Sequence, residues 1–345
     1  MIFSPCGLAT LLSALAVGSG SETREQLNKV LDLPASPASY LAAYKKVIPE
    51  LNLDNMKRPA NIFIDSFFWM DQEYKKTIKK YFHTEIRNDI NLNIQESANI
   101  INNWIRNETS SKIKKIVEPS FINDDTNMIL ADALSFKGKW RIGFDPGNTK
   151  SKLFFVNRKE IVEIKMMSLS SVFAYAKLDE YFDCSMLELP FSGRRLVMQI
   201  LLPREKEGLQ ELEKKIFKKN IFQTFNKEKQ MKNINVLLPK FKMDIVMSLS
   251  QHLKHLGLTG LFMDHHPDFS GIESSKFLHV DRVEQRISLE IGEDGDHVQP
   301  YKSLWPDAEF TADHPFLFFI RDKQTGVLLI HGRIAEPIVT SSLLA

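Results

Sequence analysis

The sequence predicts an α+β fold with large sheets, folded as one unit over residues 1–345. Segments with helical apolar spacing crowd the first third of the chain, and runs rich in β-branched and aromatic residues dominate the rest. The 345 residues show no internal repeat, low-complexity segment or linker that would divide them. With 43% hydrophobic and 26% charged residues, the chain has ample material for a sizeable core.

Taken in order, "PCGLATLLSALAVGSG" places apolar residues at helical spacing and closes on Gly18. "SETREQLNKVLDLP" follows with Ser21 as its expected N-cap, acids in the first turn and Pro34 beyond the end. "SPASYLAAYKKVIPELN" reads as a third helix, broken near Pro49. The pattern then changes: "ANIFIDSFFWM" reads as a buried strand. "QEYKKTIKKYFHTEI" returns to helical period with lysines on its polar face. In "ESANIINNWIRNETSSKIKKIV" an amphipathic helix is expected, with Ile100, Trp104 and Ile105 on its apolar side. "TNMILADALSFKGKW" is a long apolar strand ending in a Gly turn, and several strands run from Leu153 to Pro203. After the charged helix "LQELEKKIFKKN" come "NINVLLPKFKMD", "LSQHLKHLGLTGLF" and two strand-like runs, Ile287–Ile291 and Phe316–Ile320.

A net charge of +2 gives no global attraction to nucleic acid or membrane. No apolar run reaches the ~18–20 residues of a membrane span, and no signal peptide is visible. Asn107-Glu108-Thr109 is an N-glycosylation acceptor, which points to secretion. Cys6 and Cys184, outside any CxxC or Cys/His cluster, read as small apolar core residues. His265-His266, near Asp264 and Asp268, are adjacent and point apart, so no metal site is expected. There is no GxSxG, P-loop, HExxH or GxGxxG, and neither enzymatic activity nor a cofactor is expected. Lys75, Lys76, Lys79 and Lys80 recur on one helix, with Lys45, Lys46, Lys57 and Arg58 earlier. Such a basic surface suits sulfate groups electrostatically, or it is a solvated face. Lys214, Lys215, Lys218 and Lys219 alternate with acids and read as surface.

One stretch fits neither a buried strand nor a helix. "EDGDHVQPYKSLWPDAEF", Glu293–Phe310, carries five acids, two prolines, one Lys and the large aromatics Tyr301 and Trp305.

"FKGKW" (Phe136–Trp140), "LPKFKMD" (Leu238–Asp244), "DFSGI" (Asp268–Ile272), "FTADHPFLFFI…TGVLLIHGRIAEP" (Phe310–Pro337), the opening "IFSP" with "GSETREQL", and "INNWIRNETSSKI" resemble, in order and across essentially the whole chain, the serpins. The resemblance implies three β-sheets, about nine helices, a monomer, and an exposed reactive loop, here 293–310. The chain's start corresponds to the family's second helix, so the first is expected to be missing. Serpins that trap proteases are cleaved in this loop, which then inserts into the main sheet and distorts the bound enzyme.

Counting back from Phe310 with the family's spacing puts the reactive bond at Lys302-Ser303. Lys302 suits the acidic pocket of a trypsin-like serine protease. Tyr301 suits a papain-like cysteine protease, as in arthropod serpins with shortened loops, and Leu304 follows the bond. The hinge is expected at Glu293, Asp294, Gly295 and Asp296. Its start fits the family, but Asp296 stands where a small Thr or Ser is normally buried, and burying an unpaired carboxylate costs several kcal/mol. Pro300 lacks a ladder donor. Eight residues, Asp294–Tyr301, separate Glu293 from Lys302 and span ~26 Å when extended, several residues short of the family's loop. Full insertion is therefore expected to fail, leaving a reversible inhibitor. The alternative is a non-inhibitory serpin acting as carrier, chaperone or glycosaminoglycan-binding protein. Trp140 is expected at the top of the main sheet near the hinge. The family's Ser, Asn and His under the sheet centre correspond here to Gly7, Asp132 and Gln285.

Overall fold

Helical spacing and strand alternation become eight α-helices and fifteen strands among the described residues. The computed structural model describes residues 1–51, 53, 55–263, 267–275, 277–300 and 305–337, Ser21 by its backbone alone. They divide into two compact units.

One unit comprises 4–136 and 244–288. Its helices are α1 (Pro5–Gly18), α2 (Ser21–Leu31), α3 (Pro37–Glu50), α4 (Gln72–Phe82), α5 (Ser97–Glu108) and α8 (Ser250–Leu253). Pro5 opens α1, where its missing N–H costs nothing, and Leu11, Leu12, Ala14 and Leu15 are buried around it. The N-cap of α2 is Gly20 rather than Ser21. Pro49 lies within the last turn of α3 without ending it earlier. Asp71 caps α4 by accepting from the Tyr74 N–H at 2.6 Å.

The six-stranded sheet draws mainly on this unit. Its path is β11 (Phe241–Ser248), β12 (Arg282–Ile291), β5 (Met128–Lys137), β3 (Ala60–Asp65) and β4 (Glu85–Ile90), with β2 (Met56–Lys57) on β5. β12 lies directly beside β5, with no strand between them. Every residue of β5 except Lys137 is buried, which is why this strand reads as an unbroken apolar run. β3 stops earlier than its apolar sequence suggests. The Asp65 carboxylate accepts from the N–H groups of Phe67 and Leu92, turning the chain and leaving Phe67 and Trp69 exposed.

α5 also departs from expectation: Ile100 faces solvent, and the buried stripe is Ala98, Ile101, Asn102 and Ile105. Asn102 belongs there because its amide donates to the Val117 carbonyl and accepts from the Ile116 and Val117 N–H groups. Trp104 packs edge-on against Phe63, centroids 5.3 Å apart.

The other unit comprises 1–3, 137–243 and 289–345. Its nine-stranded sheet contains β1 (Ile2–Phe3), β6 (Lys150–Asn157), β7 (Glu160–Lys177), β8 (Cys184–Pro190), β9 (Leu196–Pro203), β10 (Gln230–Pro239), β13 (Ala308–Thr311), β14 (Phe316–Asp322) and β15 (Leu328–Ile334). Helices α6 (Leu209–Ile216) and α7 (Ile221–Glu228) supply Leu209, Leu212, Ile221 and Phe225 to its core. The 18-residue β7 pairs with β6 along its first half, β8 along its end, and β10 over Met166–Tyr175. Among the described residues the hydrogen-bonded ladders run as one path of nine strands and one of six, with β7 linking the β6, β8 and β10 pairings.

Candidate functional site: the loop hinge and its anchors

The segment after β12 is held in place by Trp140, which is 2% exposed. Trp140 stacks on Phe191 at 4.6 Å and meets Phe144 edge-on at 5.9 Å. Its indole N–H donates to the Gly292 carbonyl at 2.7 Å. Its backbone N–H donates to Asp294, and its carbonyl accepts from the Asp296 N–H, forming a parallel bridge centred on Gly295. Gly295 is required there: a Cβ would lie 2.3 Å from the Gly143 Cα.

The side chains reinforce that pairing. Lys137 and Lys139, two residues apart, meet Asp294 at 3.0 Å and Asp296 at 3.3 Å, also two apart. The Ser192 hydroxyl reaches both Asp296 oxygens, at 2.8 and 3.0 Å, and Arg141 approaches at 3.8 Å. Ser192 and the two cations hold the Asp296 carboxyl below its ordinary range despite partial desolvation. Asp294, followed by Glu290, pushes the Lys137 ammonium up. Burial opposes ionisation of Glu293, but the Lys240 ammonium at 2.8 Å, with Thr149, outweighs it and lowers its pKa. Gly292, Asp294, Gly295 and Asp296 therefore lie against Trp140 and its neighbours. The sequence reading missed Ser192, Lys139, Arg141, Lys240 and Thr149. The matched spacings of Lys137/Lys139 and Asp294/Asp296 were the available signal.

The far leg of the loop is anchored on β10. The Asp307 carboxylate accepts from the Asn233 N–H at 2.8 Å, and the Asp307 N–H donates to the Asn233 carbonyl. β13 then runs parallel to β10, while Trp305 is 84% exposed. Tyr301, Lys302, Ser303 and Leu304, the expected reactive segment, lie outside the described residues, as do Asp264, His265 and His266.

At the centre of β5, Asp132 is buried and accepts from the Gln285 amide of β12 at 2.6 Å. Gln285 also accepts from the Ser4 N–H and donates to the Ser4 carbonyl, both at 2.9 Å. Gly7 makes the room: a Cβ there would lie 2.1 Å from either Asp132 oxygen. Burial raises the Asp132 pKa to about 6, against the pull of the Gln285 hydrogen bond and of Arg58. Gly7, Asp132 and Gln285 thus form one fitted arrangement.

The remaining expected residues are dispersed. Lys76 pairs with Glu73 at 2.7 Å and Lys79 with Glu85 at 3.7 Å, whereas Lys45 and Lys80 flank the Tyr81 ring. Lys75 reaches Asn88, and Arg58 turns inward to the Cys6 sulfur at 3.6 Å. Asn107 is exposed at the end of α5. The Thr109 hydroxyl is buried, donating to the Ile105 carbonyl and accepting from the Ile113 N–H. Cys184 is buried, Cys6 partly so; both are free, and burial pushes both thiols up. Among the described residues, no group of three or more His, Cys, Asp or Glu could hold a metal ion, and no helix is long and apolar enough to cross a membrane.

The family model described as "Serpin (serine protease inhibitor)" matches residues 1–337. Serine protease inhibitor 42Dd of Drosophila melanogaster is 31% identical, covering 98% of this chain and 91% of its own length. Uncleaved ovalbumin superposes with a TM-score of 0.90 at 27% identity, over 98% and 93% of the two chains. Native protease nexin-1, solved with heparin, gives 0.87 at 28%, over 98% and 92%. The match runs nearly end to end in sequence and in fold, and the chain belongs to the serpin family.

Proposed function

We propose that this chain inhibits a protease reversibly. Its reactive loop, 293–310, would offer Tyr301, Lys302, Ser303 and Leu304 to a papain-like cysteine protease or a trypsin-like serine protease without full insertion into the six-stranded sheet. Residues 1–345 act as one monomeric domain that needs no cofactor and catalyses nothing itself. The observation that carries this reading is the position of Asp296: its carboxylate is satisfied outside the sheet by Ser192, Lys139 and Arg141. Insertion would exchange these partners for a buried site, and a carboxylate stripped of partners is costly to bury. The short segment before Lys302 and Pro300 favour the same outcome. Asp296 and Asp307 on either side of the reactive segment are already held before docking, which favours reversible binding.

The test is to mix the protein with trypsin and with a cathepsin-like cysteine protease, then dilute. Recovery of activity is expected. No inhibition of either enzyme overturns the reading, and a denaturant-stable covalent complex overturns the claim that insertion fails.

A second reading, a non-inhibitory carrier, chaperone or glycosaminoglycan-binding protein, draws support from Lys45 and Lys80 over Tyr81 and from the heparin-bound relative. Salt-sensitive retention on immobilised heparin without protease inhibition favours it. An extracellular setting is part of either reading and is supported by the exposed Asn107 acceptor. A mass shift on enzymatic deglycosylation of protein from secreting cells tests it.

A further inference from the structure

We infer that Asp132 is a pH-sensitive latch between β5 and β12, holding the two strands together when protonated and easing them apart when ionised. The geometry is that of a carboxyl group sealed in the sheet. Asp132 is 3% exposed as a residue, and its hydrogen-bond partner among the surrounding side chains is the neutral Gln285 amide on the adjacent strand. Gln285 is itself fully buried and spent on both backbone groups of Ser4, so it cannot turn to follow the carboxylate. From α1, Gly7 offers no side chain and Cys6 only a thiol whose ionisation is suppressed by burial. The Arg58 guanidinium, between β2 and β3, is the cation that faces the group, acting at longer range and spending a donor on the Cys6 sulfur.

A carboxylic acid in this setting keeps its bond from Gln285 through its carbonyl oxygen and carries no charge to desolvate. The carboxylate makes the same bond but must be held without water. Separation of β5 and β12 admits water to Asp132, so ionisation favours that separation. Burial raises the group's pKa towards 6, which puts the change between mildly acidic and neutral solution. The sign follows from linkage: the raised pKa stabilises the closed sheet at low pH, and this stabilisation is lost as pH rises through the folded value.

The device is independent of any protease. Its test is hydrogen–deuterium exchange of β5 and β12 on the intact protein, corrected for intrinsic exchange rates. Opening of these strands is expected to increase about tenfold between pH 5 and 7.5, as linkage to a solvated carboxyl requires. In Asp132→Asn, opening should no longer vary with pH, while peptides from α6 and α7 behave as in the wild type. Wild-type opening that does not change with pH, or a pH dependence that persists in Asp132→Asn, overturns the proposal.

Discussion

The Ser192 hydroxyl bonds the Asp296 carboxylate at 2.8 Å, across 104 residues of sequence. It fixes the first hinge residue beyond Gly295 against the turn between β8 and β9, whose Ser192 N–H donates to the Lys139 carbonyl. Ser192→Ala should therefore loosen the hinge while leaving the fold intact. Limited proteolysis between Glu293 and Pro300 should accelerate several-fold, and further in high salt, which screens Lys139 and Arg141. Unchanged cleavage would mean that the backbone bridge at Trp140 holds the hinge alone.

Lys302→Ala should weaken trypsin binding by about 30-fold or more, the effect of truncating a central contact residue. Tyr301→Ala should matter more for a cysteine protease. Inhibition constants for both variants against both enzymes give a crossed pattern if the assignment holds, and parallel losses if the two residues serve only loop shape.

Gly7→Ala should destabilise the fold by about 1–3 kcal/mol through overpacking against Asp132. In an Asp132→Ala background the same change should cost much less, because the obstructing oxygens are gone. Urea unfolding of the four proteins closes the cycle. Additive effects would show that the two positions do not compete for the same space.

Acid acts on the two carboxylate sites with opposite sign. The lowered pKa values of Asp296 and Glu293 give stabilisation that is present above the ordinary carboxylate range and lost as pH falls through the depressed values. Trp140 emission should then hold steady down to about pH 5 and change only below about pH 4. Asp132, raised from 3.8 to about 6, works the other way. Two units correspond to ~3 kcal/mol, so Asp132→Asn should stabilise the protein by up to that amount near pH 7 and hardly at all below about pH 4. Chemical denaturation across this range measures it.

Much of this architecture is legible in local sequence. The α1 and β5 segments announce themselves because their burial is continuous, and the hinge is marked by Glu293 and Gly295. Ile100 reads as core yet faces solvent, because Asn102 occupies the buried stripe of α5 and breaks its apolar pattern, its polarity answered by backbone groups beyond the helix. Phe67 and Trp69 read as strand because their bulk and aromaticity are those of a core, yet a single carboxylate, Asp65, turns the chain before they can enter it. The partners of Asp296 escape a local reading altogether, since Lys139, Arg141 and Ser192 meet it only after the chain has crossed the nine-stranded sheet several times. The coupling of Gly7 to Asp132 is equally hidden, because a missing Cβ leaves no signal until the opposing atoms are placed.

That missing Cβ also imposes a history. A chain with any side chain at position 7 has no room for the Asp132 carboxylate where it now sits, and the Gln285 amide would keep only its bond to the Ser4 carbonyl. A lineage arriving at this trio one substitution at a time has a passable route if glycine comes first, and a steric barrier if aspartate does. Position 7, silent in chemistry, decides the order in which its neighbours can change.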